Sequence, residues 1–268
     1  MFRPLSSDKA LSFIIVKSFP FFDMPTRYDR QLLEFTAEEQ GRIRSATVGI
    51  VGCGGLGTYV STALALAGVG TMVMIDPDVP ETTNLNRQFV YCRPLSEGDR
   101  RHKAEILSEW VCSLNPDVSI EAHVGSFDEA TCDLFDRCDV MVDCLDSIGS
   151  RMRLNKYCVG SGKPLVHGGI SGFTGQLFTI VPGRTACLHC FMRDLSESSV
   201  TPPSIGSVVM SVGSMEATEV LKLLSGRGEG SFGKLVSTDF EAGRTVSMRI
   251  ERDEGCPVCG TYGFRGRA

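Results

Sequence analysis

The sequence lacks an excess of positive charge. Its 268 residues contain 27 lysines and arginines against 32 aspartates and glutamates, which gives a formal net charge of -5. This balance produces no global positive field, so it argues against a protein that binds nucleic acid or lies on anionic lipid. We therefore expect neither nucleic acid nor a membrane among the partners.

The sequence also lacks a convincing membrane span. Residues 45–75 contain no charged side chain, which meets the length of a span. However, five glycines fall within residues 49–57 of this run, namely Gly49, Gly52, Gly54, Gly55 and Gly57. A strand, a glycine turn and a buried helix explain the run better.

The N-terminal segment lacks the signature of an export signal. Its apolar run, residues 10–16, is closed by Lys17 and is not followed by a small-residue cleavage site. We expect residues 1–23 to be an extension, with Met24 as an alternative start. Since 42% of the residues are hydrophobic, we expect residues 24–268 to form one domain with a sizeable core.

The eleven cysteines are odd in number and mostly scattered, which favours reduced thiols in a cytoplasmic protein over a disulfide framework. Four of them form two Cys-x-x-Cys pairs, Cys187 with Cys190 and Cys256 with Cys259. This pairing predicts a structural four-thiolate zinc site, in which His189 is a surface residue and not a ligand. The alternative is two independent reduced or redox-active pairs.

The hydrophobic pattern alternates between strands and helices. Residues 47–51 and 71–75 are predicted strands around a predicted helix at 58–67, which makes a βαβ unit. Further helices are predicted at residues 103–114, 150–160 and 211–224, and further strands at 118–124, 139–145, 164–167, 175–181, 234–238 and 245–250. We expect an α/β fold of Rossmann type, with a mainly parallel sheet, flanking helices and an antiparallel C-terminal extension.

A glycine motif lies between the first strand and the first helix of this unit. Gly52-x-Gly54-Gly55-x-Gly57 is followed about 20 residues later by Asp76, at a spacing that suits hydrogen bonds to ribose hydroxyls. The motif predicts a bound nucleotide but does not distinguish NAD, FAD and ATP. It is also compatible with a tight turn that only lets a helix pack on a strand.

Polar and cationic residues after the second strand favour triphosphate chemistry. They are Asn84, Arg87, Gln88 and Lys103. ATP carries about four negative charges at pH 7, and an attacking carboxylate adds another, so fixed cations must offset the repulsion. An ionised carboxylate needs no general base. Asp146 follows a predicted strand, so Asp76 and Asp146 should overlook one crevice beyond the carboxyl ends of the parallel strands. Asp146 is then placed to bind Mg²⁺. The alternatives are a helix N-cap for Asp146 and a solvated charge for Arg87.

Together these motifs resemble the ThiF/MoeB/HesA branch of adenylyltransferases in the ubiquitin-activating superfamily. The resemblance runs from Arg27 to Gly260. The matching motifs are Arg27-Tyr-Asp-Arg30-Gln31, the glycine turn, Asp76-x-Asp78, Asn84-x-x-Arg87-Gln88, Lys103 and Asp143-Cys-Leu-Asp146-Ser.

The resemblance implies adenylation of the C-terminal glycine of a ubiquitin-fold sulfur-carrier protein, with release of pyrophosphate. It implies that Asp76 binds the ribose, that Asp146 binds Mg·ATP, and that Arg30 reaches the γ-phosphate in a homodimer partner's site. The remaining nucleotide-binding and phosphate-handling residues would be Gly52, Gly54, Gly55, Gly57, Asp78, Asn84, Arg87, Gln88 and Lys103.

One segment departs from the family pattern. Many relatives have a cysteine in the loop after the first Cys-x-x-Cys pair, but residues 191–204 contain none. Ser198 or Ser199 occupies the approximate position, and a hydroxyl cannot replace a thiolate at neutral pH. We therefore expect no transfer chemistry beyond adenylation, and we expect Cys53 and Cys144 to be buried as small apolar residues.

Three alternatives remain open at this point. The same machinery could adenylate a small-molecule carboxylate, as the missing loop cysteine would allow. The glycine turn and Asp76 alone would also suit an NAD-dependent oxidoreductase. The third alternative is a non-catalytic subunit of a heterodimer, although the nucleotide and Mg²⁺ residues all occur in one chain.

Overall fold

A computed structural model describes residues 25–192 and 202–260 of the chain. Its strands form one eight-stranded sheet. They are β1 (Thr47–Val51), β2 (Thr71–Asp76), β3 (Ser119–Val124), β4 (Val140–Asp143), β5 (Leu165–Ser171), β6 (Thr174–Ile180), β7 (Lys234–Asp239) and β8 (Arg244–Arg249).

The strand order is β3-β2-β1-β4-β5-β6-β7-β8. The first five strands of this order, β3-β2-β1-β4-β5, pair in parallel. The last three, β6, β7 and β8, are antiparallel to their neighbours. The predicted fold class, a mainly parallel Rossmann-like sheet with an antiparallel C-terminal extension, is confirmed.

The helices cover both faces of the sheet. They are α1 (Ala37–Ser45), α2 (Gly55–Ala67), α3 (Cys92–Ser96), α4 (Lys103–Leu114), α5 (Ile148–Ser161), α6 (Leu188–Met192) and α7 (Gly206–Ser225). One buried apolar cluster lies between the sheet and α2, α4 and α7, and a second lies between the sheet and α5 and α6. Among the described helices, none combines the length and the apolar character needed to cross a membrane.

Strand β1 shows how the sequence produces this layering. Val48 and Ile50 belong to the first cluster and Val51 to the second. Successive side chains of a strand point to opposite faces, so a parallel strand covered on both sides is apolar throughout. The uncharged run at residues 45–75 is therefore a buried strand, helix and strand, as predicted.

Several helix boundaries differ from the prediction. Helix α7 begins at Gly206 instead of residue 211, because its first turn packs on a distant loop: a Cβ at Gly206 would lie 2.3 Å from the carbonyl oxygen of Asn86. Helix α1 was not predicted, although Thr36 and Glu39 form a capping box, which is a signal readable in the sequence. Between residues 78 and 99, where no helix was predicted, the structure has α3.

Candidate nucleotide-binding site

The glycine turn between β1 and α2 is packed backbone against backbone. Gly52 has a φ of +100°, and a Cβ there would lie 2.5 Å from the carbonyl oxygen of Cys144. A Cβ at Gly57 would lie 2.0 Å from the carbonyl oxygen of Gly52. Helix α2 begins directly after Gly54, and no side chain caps it. Its first backbone N–H groups are therefore available for an anion such as a phosphate.

Asp76 fixes this turn from the carboxyl end of β2. One carboxylate oxygen accepts a hydrogen bond from the backbone N–H of Cys53 at 2.6 Å, and the other accepts one from Asp78 at 2.8 Å. Burial raises the pKa of Asp76, against these two backbone donors, which lower it. Each oxygen retains a second lone pair that could accept a ribose hydroxyl.

Lys103 provides a buried cation beside the turn. Its ammonium group donates to Asp78 at 2.8 Å, and its side chain is 7% exposed whereas that of Asp78 is 63% exposed. The backbone carbonyl of Lys103 and that of Cys53 both accept from the hydroxyl of Tyr91, at 3.3 and 2.5 Å. The first turn of α4 is therefore tied to the glycine turn.

The segment from Asn84 to Gln88 lies over the glycine turn. The aliphatic part of Arg87 packs beside Gly55, and its guanidinium donates to the Thr83 carbonyl at 3.0 Å. Gln88 is buried next to Gly54, and its Oε1 has no hydrogen-bond partner among the described residues. Asn84 accepts from the backbone N–H of Glu81 at 3.1 Å. A buried acceptor without a partner favours a ligand that donates a hydrogen bond.

Asp146 lies in the turn that follows β4. Its side chain is exposed, and Cys144, two residues earlier, contacts both Gly52 and Gly57. Because β1 lies between β2 and β4, Asp76 and Asp146 lie at the same edge of the sheet, as predicted. The alternative that Asp146 is the helix N-cap is wrong, since Ser147 caps α5 by accepting from the backbone N–H of Ser150 at 3.2 Å.

Arg30 does not lie with the other candidate residues of its own chain. It is exposed, and its neighbours contact the far end of α2: Gln31 donates to the Ala67 carbonyl at 2.9 Å, and Tyr28 packs on Gly68. The 13 residues of α2 span about 20 Å. The glycine turn is therefore out of reach of the Arg30 side chain.

A buried polar cluster behind Asp146 was not predicted from the sequence. It contains the side chains of Asp143, Arg151, His167 and Glu216, which come from β4, α5, β5 and α7. No spacing pattern links these positions in the sequence. Tyr91 was also missed, since nothing around it distinguishes a buried hydroxyl from an ordinary core aromatic residue.

The four paired cysteines converge as predicted. Their Sγ atoms all lie within 4.8 Å of one another, with 3.8 Å between Cys187 and Cys256 and 3.4 Å between Cys190 and Cys259. Zn–S bonds of about 2.3 Å in a tetrahedron place sulfur atoms about 3.8 Å apart, so the set fits zinc. His189 is half-buried, and its Nδ1 lies 3.6 Å from the Sγ of Cys256.

Cys53 and Cys144 are buried, as predicted. The loop positions Ser198 and Ser199 and the N-terminal residues 1–23 lie outside the described residues, so the expectations about them stay predictions.

Comparison with known proteins places the chain in one family. The ThiF family model matches residues 28–258. The SAMP-activating enzyme E1 of Haloferax volcanii is 38% identical over 250 residues, covering 88% of this chain and 89% of the relative. The sulfur carrier protein ThiS adenylyltransferase of Escherichia coli is 35% identical over 241 residues, covering 87% and 94%.

Solved structures of Escherichia coli MccB have the same fold. The complex of MccB with MccA-N7isoASN matches with a TM-score of 0.78 at 26% identity, covering 87% of this chain and 74% of MccB. The complex of MccB with ATP matches with a TM-score of 0.76 at 27% identity, covering 88% and 75%.

These similarities decide between the enzyme classes left open by the glycine turn. The prediction of an ATP-dependent adenylyltransferase is confirmed, and the alternative of an oxidoreductase is wrong. With a family model that spans nearly the whole described chain, the protein belongs to the ThiF family.

Proposed function

We propose that this adenylyltransferase activates the C-terminal carboxylate of a ubiquitin-fold sulfur-carrier protein that ends in Gly-Gly. One relative is named as the adenylyltransferase of the sulfur carrier protein ThiS, and another as a SAMP-activating enzyme. One observation supports ATP as the nucleotide: two cations, Arg87 and the buried Lys103, lie beside the glycine turn at the start of α2. Such groups offset the repulsion between a triphosphate and a carboxylate.

In the proposed reaction, an oxygen of the carrier carboxylate forms a bond to the α-phosphorus of ATP. The bond from this phosphorus to the oxygen that bridges to the β-phosphate breaks, and its electron pair leaves with pyrophosphate. No proton needs to move, because the attacking carboxylate is already ionised. The enzyme contributes positioning and charge stabilisation.

Each residue has a proposed role in this reaction. Asp76 accepts the ribose hydroxyls, and the N–H groups at the start of α2 contact phosphate. Asn84, Arg87, Gln88 and Lys103 line the path of the phosphates, with Asp78 holding Lys103. Asp146 would hold Mg²⁺, which would offset the negative charge of the triphosphate.

We propose a homodimer in which Arg30 of each protomer reaches the triphosphate in the other protomer's site. Its distance from its own glycine turn supports this assignment. We also propose that the four cysteines hold a structural zinc ion, which ties the C-terminal segment to α6 and takes no part in the reaction.

ATP–pyrophosphate exchange over a panel of carriers and small acids tests this function. We expect exchange only in the presence of a ubiquitin-fold carrier with an intact C-terminal glycine. Exchange with a small acid and with none of the carriers would contradict the proposal and favour the small-molecule alternative.

A pair of variants defines the site in the same assay. Asp146→Ala should lower the exchange rate at least about a hundredfold, as expected for loss of a residue that stabilises charge in the reaction. Asp117→Ala is the matched control. Asp117 is also exposed, but it precedes β3 and so lies at the amino end of the parallel strands, opposite to the glycine turn. It should retain full activity.

A further inference from the structure

Arg151 is a buried arginine directly behind the turn that contains Asp146. It lies in the first half of α5 and is 8% exposed. Its Nη1 donates to the carbonyl oxygen of Gly168 at 2.7 Å, and its Nη2 donates to the carbonyl oxygen of Leu145. Arginine is rarely buried without paired groups around it, and these two carbonyls are part of the set that surrounds Arg151.

A carboxylate and a histidine complete the surroundings of this guanidinium. Oδ2 of Asp143 lies 3.4 Å from Nη1 of Arg151 and 2.7 Å from Nδ1 of His167. Burial alone would raise the pKa of Asp143, but Arg151 and the hydrogen bond from His167 bring it below its usual value. Asp143 is therefore an ionised partner for Arg151.

The same contacts define the state of His167. Burial and the nearby guanidinium of Arg151 lower its pKa, so the ring is neutral and carries one proton. With that proton on Nδ1, the ring donates to Asp143, and Nε2 accepts from the amide of Gln176 at 3.1 Å. The histidine therefore holds Asp143, and its ring also lies against the guanidinium, with Nδ1 2.8 Å from Nη1 of Arg151.

These bonds fix both sides of Leu145, the residue before Asp146. Its N–H donates to Oδ1 of Asp143 at 3.1 Å, and its carbonyl accepts from Arg151. The backbone direction at the end of β4 is thus set by a guanidinium that is itself held by β4 and β5. Lysine would keep the charge but has no planar fork that can donate to two carbonyls at once.

We propose that Arg151 is a positioning residue for Asp146: by holding the Leu145 carbonyl, it sets the direction of the carboxylate that receives the metal of Mg·ATP. The inference rests on the proposed function, in which Asp146 binds Mg²⁺. It assigns Arg151 no contact with substrate.

The test measures ATP affinity by calorimetry in the full chain without a carrier, once with Mg²⁺ and once in EDTA. Arg151→Lys should lose about tenfold to a hundredfold of the Mg²⁺-dependent gain in ATP affinity, a range typical of residues that orient metal ligands. Its affinity for ATP in EDTA should remain that of the wild type. A merely structural defect would lower both affinities together.

Two variants provide the comparison. Arg153→Lys is the matched control, since Arg153 is exposed on the same helix and donates only to Ser150 Oγ among the described residues; it should keep the full Mg²⁺ gain. Asp146→Ala should lose that gain entirely.

The outcomes distinguish a failure of the positioning role of Arg151 from a failure of the proposed metal role of Asp146. If Asp146→Ala loses the Mg²⁺ gain and a folded Arg151→Lys keeps it, the positioning role of Arg151 is wrong while the proposed function stands. If Asp146→Ala itself keeps the gain, the proposed metal role of Asp146 is wrong and the inference falls with it. Should Arg151→Lys not fold, Arg151→Gln replaces it, and failure of both to fold would make Arg151 a requirement of the fold and also overturn the inference.

Discussion

At the scale of single residues, the tightest packing in the site is between two glycines of the same turn. A Cβ at Gly57 would lie 2.0 Å from the carbonyl oxygen of Gly52, which is backbone and cannot move aside without reshaping the turn. The N–H groups at the start of α2 keep their direction only while this contact is preserved. The proposed nucleotide site therefore depends on a missing side chain.

Gly57→Ala should consequently abolish ATP binding in calorimetry, with an affinity loss of at least about a hundredfold, because it displaces the donors of the phosphate site. Gly41→Ala is the control: no atom lies within 4 Å of a Cβ at Gly41, in helix α1. It should bind ATP normally and gain about 0.5–1 kcal/mol of stability from helix propensity. Normal ATP binding by Gly57→Ala would contradict the assignment of the turn.

Glu216 is a second residue with a measurable consequence. It is fully buried near Asp143 and Arg151, and neither carboxyl oxygen has a hydrogen-bond partner of good geometry among the described residues. Burial first, and then Asp143, raise its pKa well above the ordinary value. The folded protein thus keeps a proton on Glu216 at pH values where the unfolded chain has lost it.

The sign of the pH effect follows from this difference in bound protons. Stability falls as the pH rises from the unfolded pKa, about 4.3, towards the raised folded pKa, by about 1.4 kcal/mol for each unit between the two values. Glu216→Gln removes this term, so in urea unfolding it should gain stability relative to the wild type from pH 5 to pH 8. The exposed Glu241→Gln is the control. An equal pH dependence of wild type and Glu216→Gln would contradict a neutral buried Glu216.

At the scale of secondary-structure elements, the cysteine cluster connects α6 with the C-terminal segment around residues 256–259. This segment follows β8, whose residues are all exposed, and within residues 251–260 only Cys256 and Cys259 are buried. A metal bound by four thiolates would provide most of that connection.

Metal analysis of the purified protein should find one zinc ion per chain. Cys259→Ser should lose it and lower the melting temperature by about 5–10 °C, equivalent to a few kcal/mol for a chain of this size. Cys112→Ser, which changes an exposed cysteine outside the cluster, should do neither. Zinc loss with an unchanged melting temperature would show that the metal does not stabilise the fold.

Elements whose turn residues and hydrophobic pattern lie within one short stretch of sequence were predicted correctly. The strand, glycine turn and helix from β1 to α2 were predicted because β-rich residues, glycines and helical spacing follow one another directly. Asp76 and Asp146 were placed correctly because strand ends in a parallel sheet share one edge. The start of α7 was misplaced because its first residue is glycine, a poor helix former, and the close approach of Gly206 to the Asn86 backbone is a long-range contact.

The cluster around Arg151 could not be predicted for a different reason. Arg151 and Arg153 lie two residues apart on α5, one buried and the other exposed, and their chemistry is the same. Only the fold brings Gly168 and the end of β4 next to the first of them. Long-range contacts of this kind leave no periodic trace in one sequence.

At the scale of the whole molecule, the proposed role of Arg30 would make activity a property of a dimer. Arg30 lies at the end of α2 opposite to the glycine turn, so a single protomer would have an incomplete site. In a symmetric dimer each protomer would complete the site of its partner.

Mixing two inactive variants tests this arrangement. Arg30→Ala and Asp146→Ala should each be inactive in pyrophosphate exchange. Co-refolded or co-expressed in equal amounts, they should recover about one quarter of wild-type activity, because half of the dimers are mixed and each has one intact site. No recovery in mixed dimers would show that Arg30 does not complete the site of the partner protomer.

Intact-mass spectrometry of a Gly-Gly carrier incubated with the protein and Mg·ATP detects the proposed transfer of AMP to the carrier carboxylate. We predict a carrier species heavier by one adenylyl group, present with the wild type and absent with Asp146→Ala. An unmodified carrier, under conditions in which the wild type binds Mg·ATP and adenylates a small acid, would contradict the account.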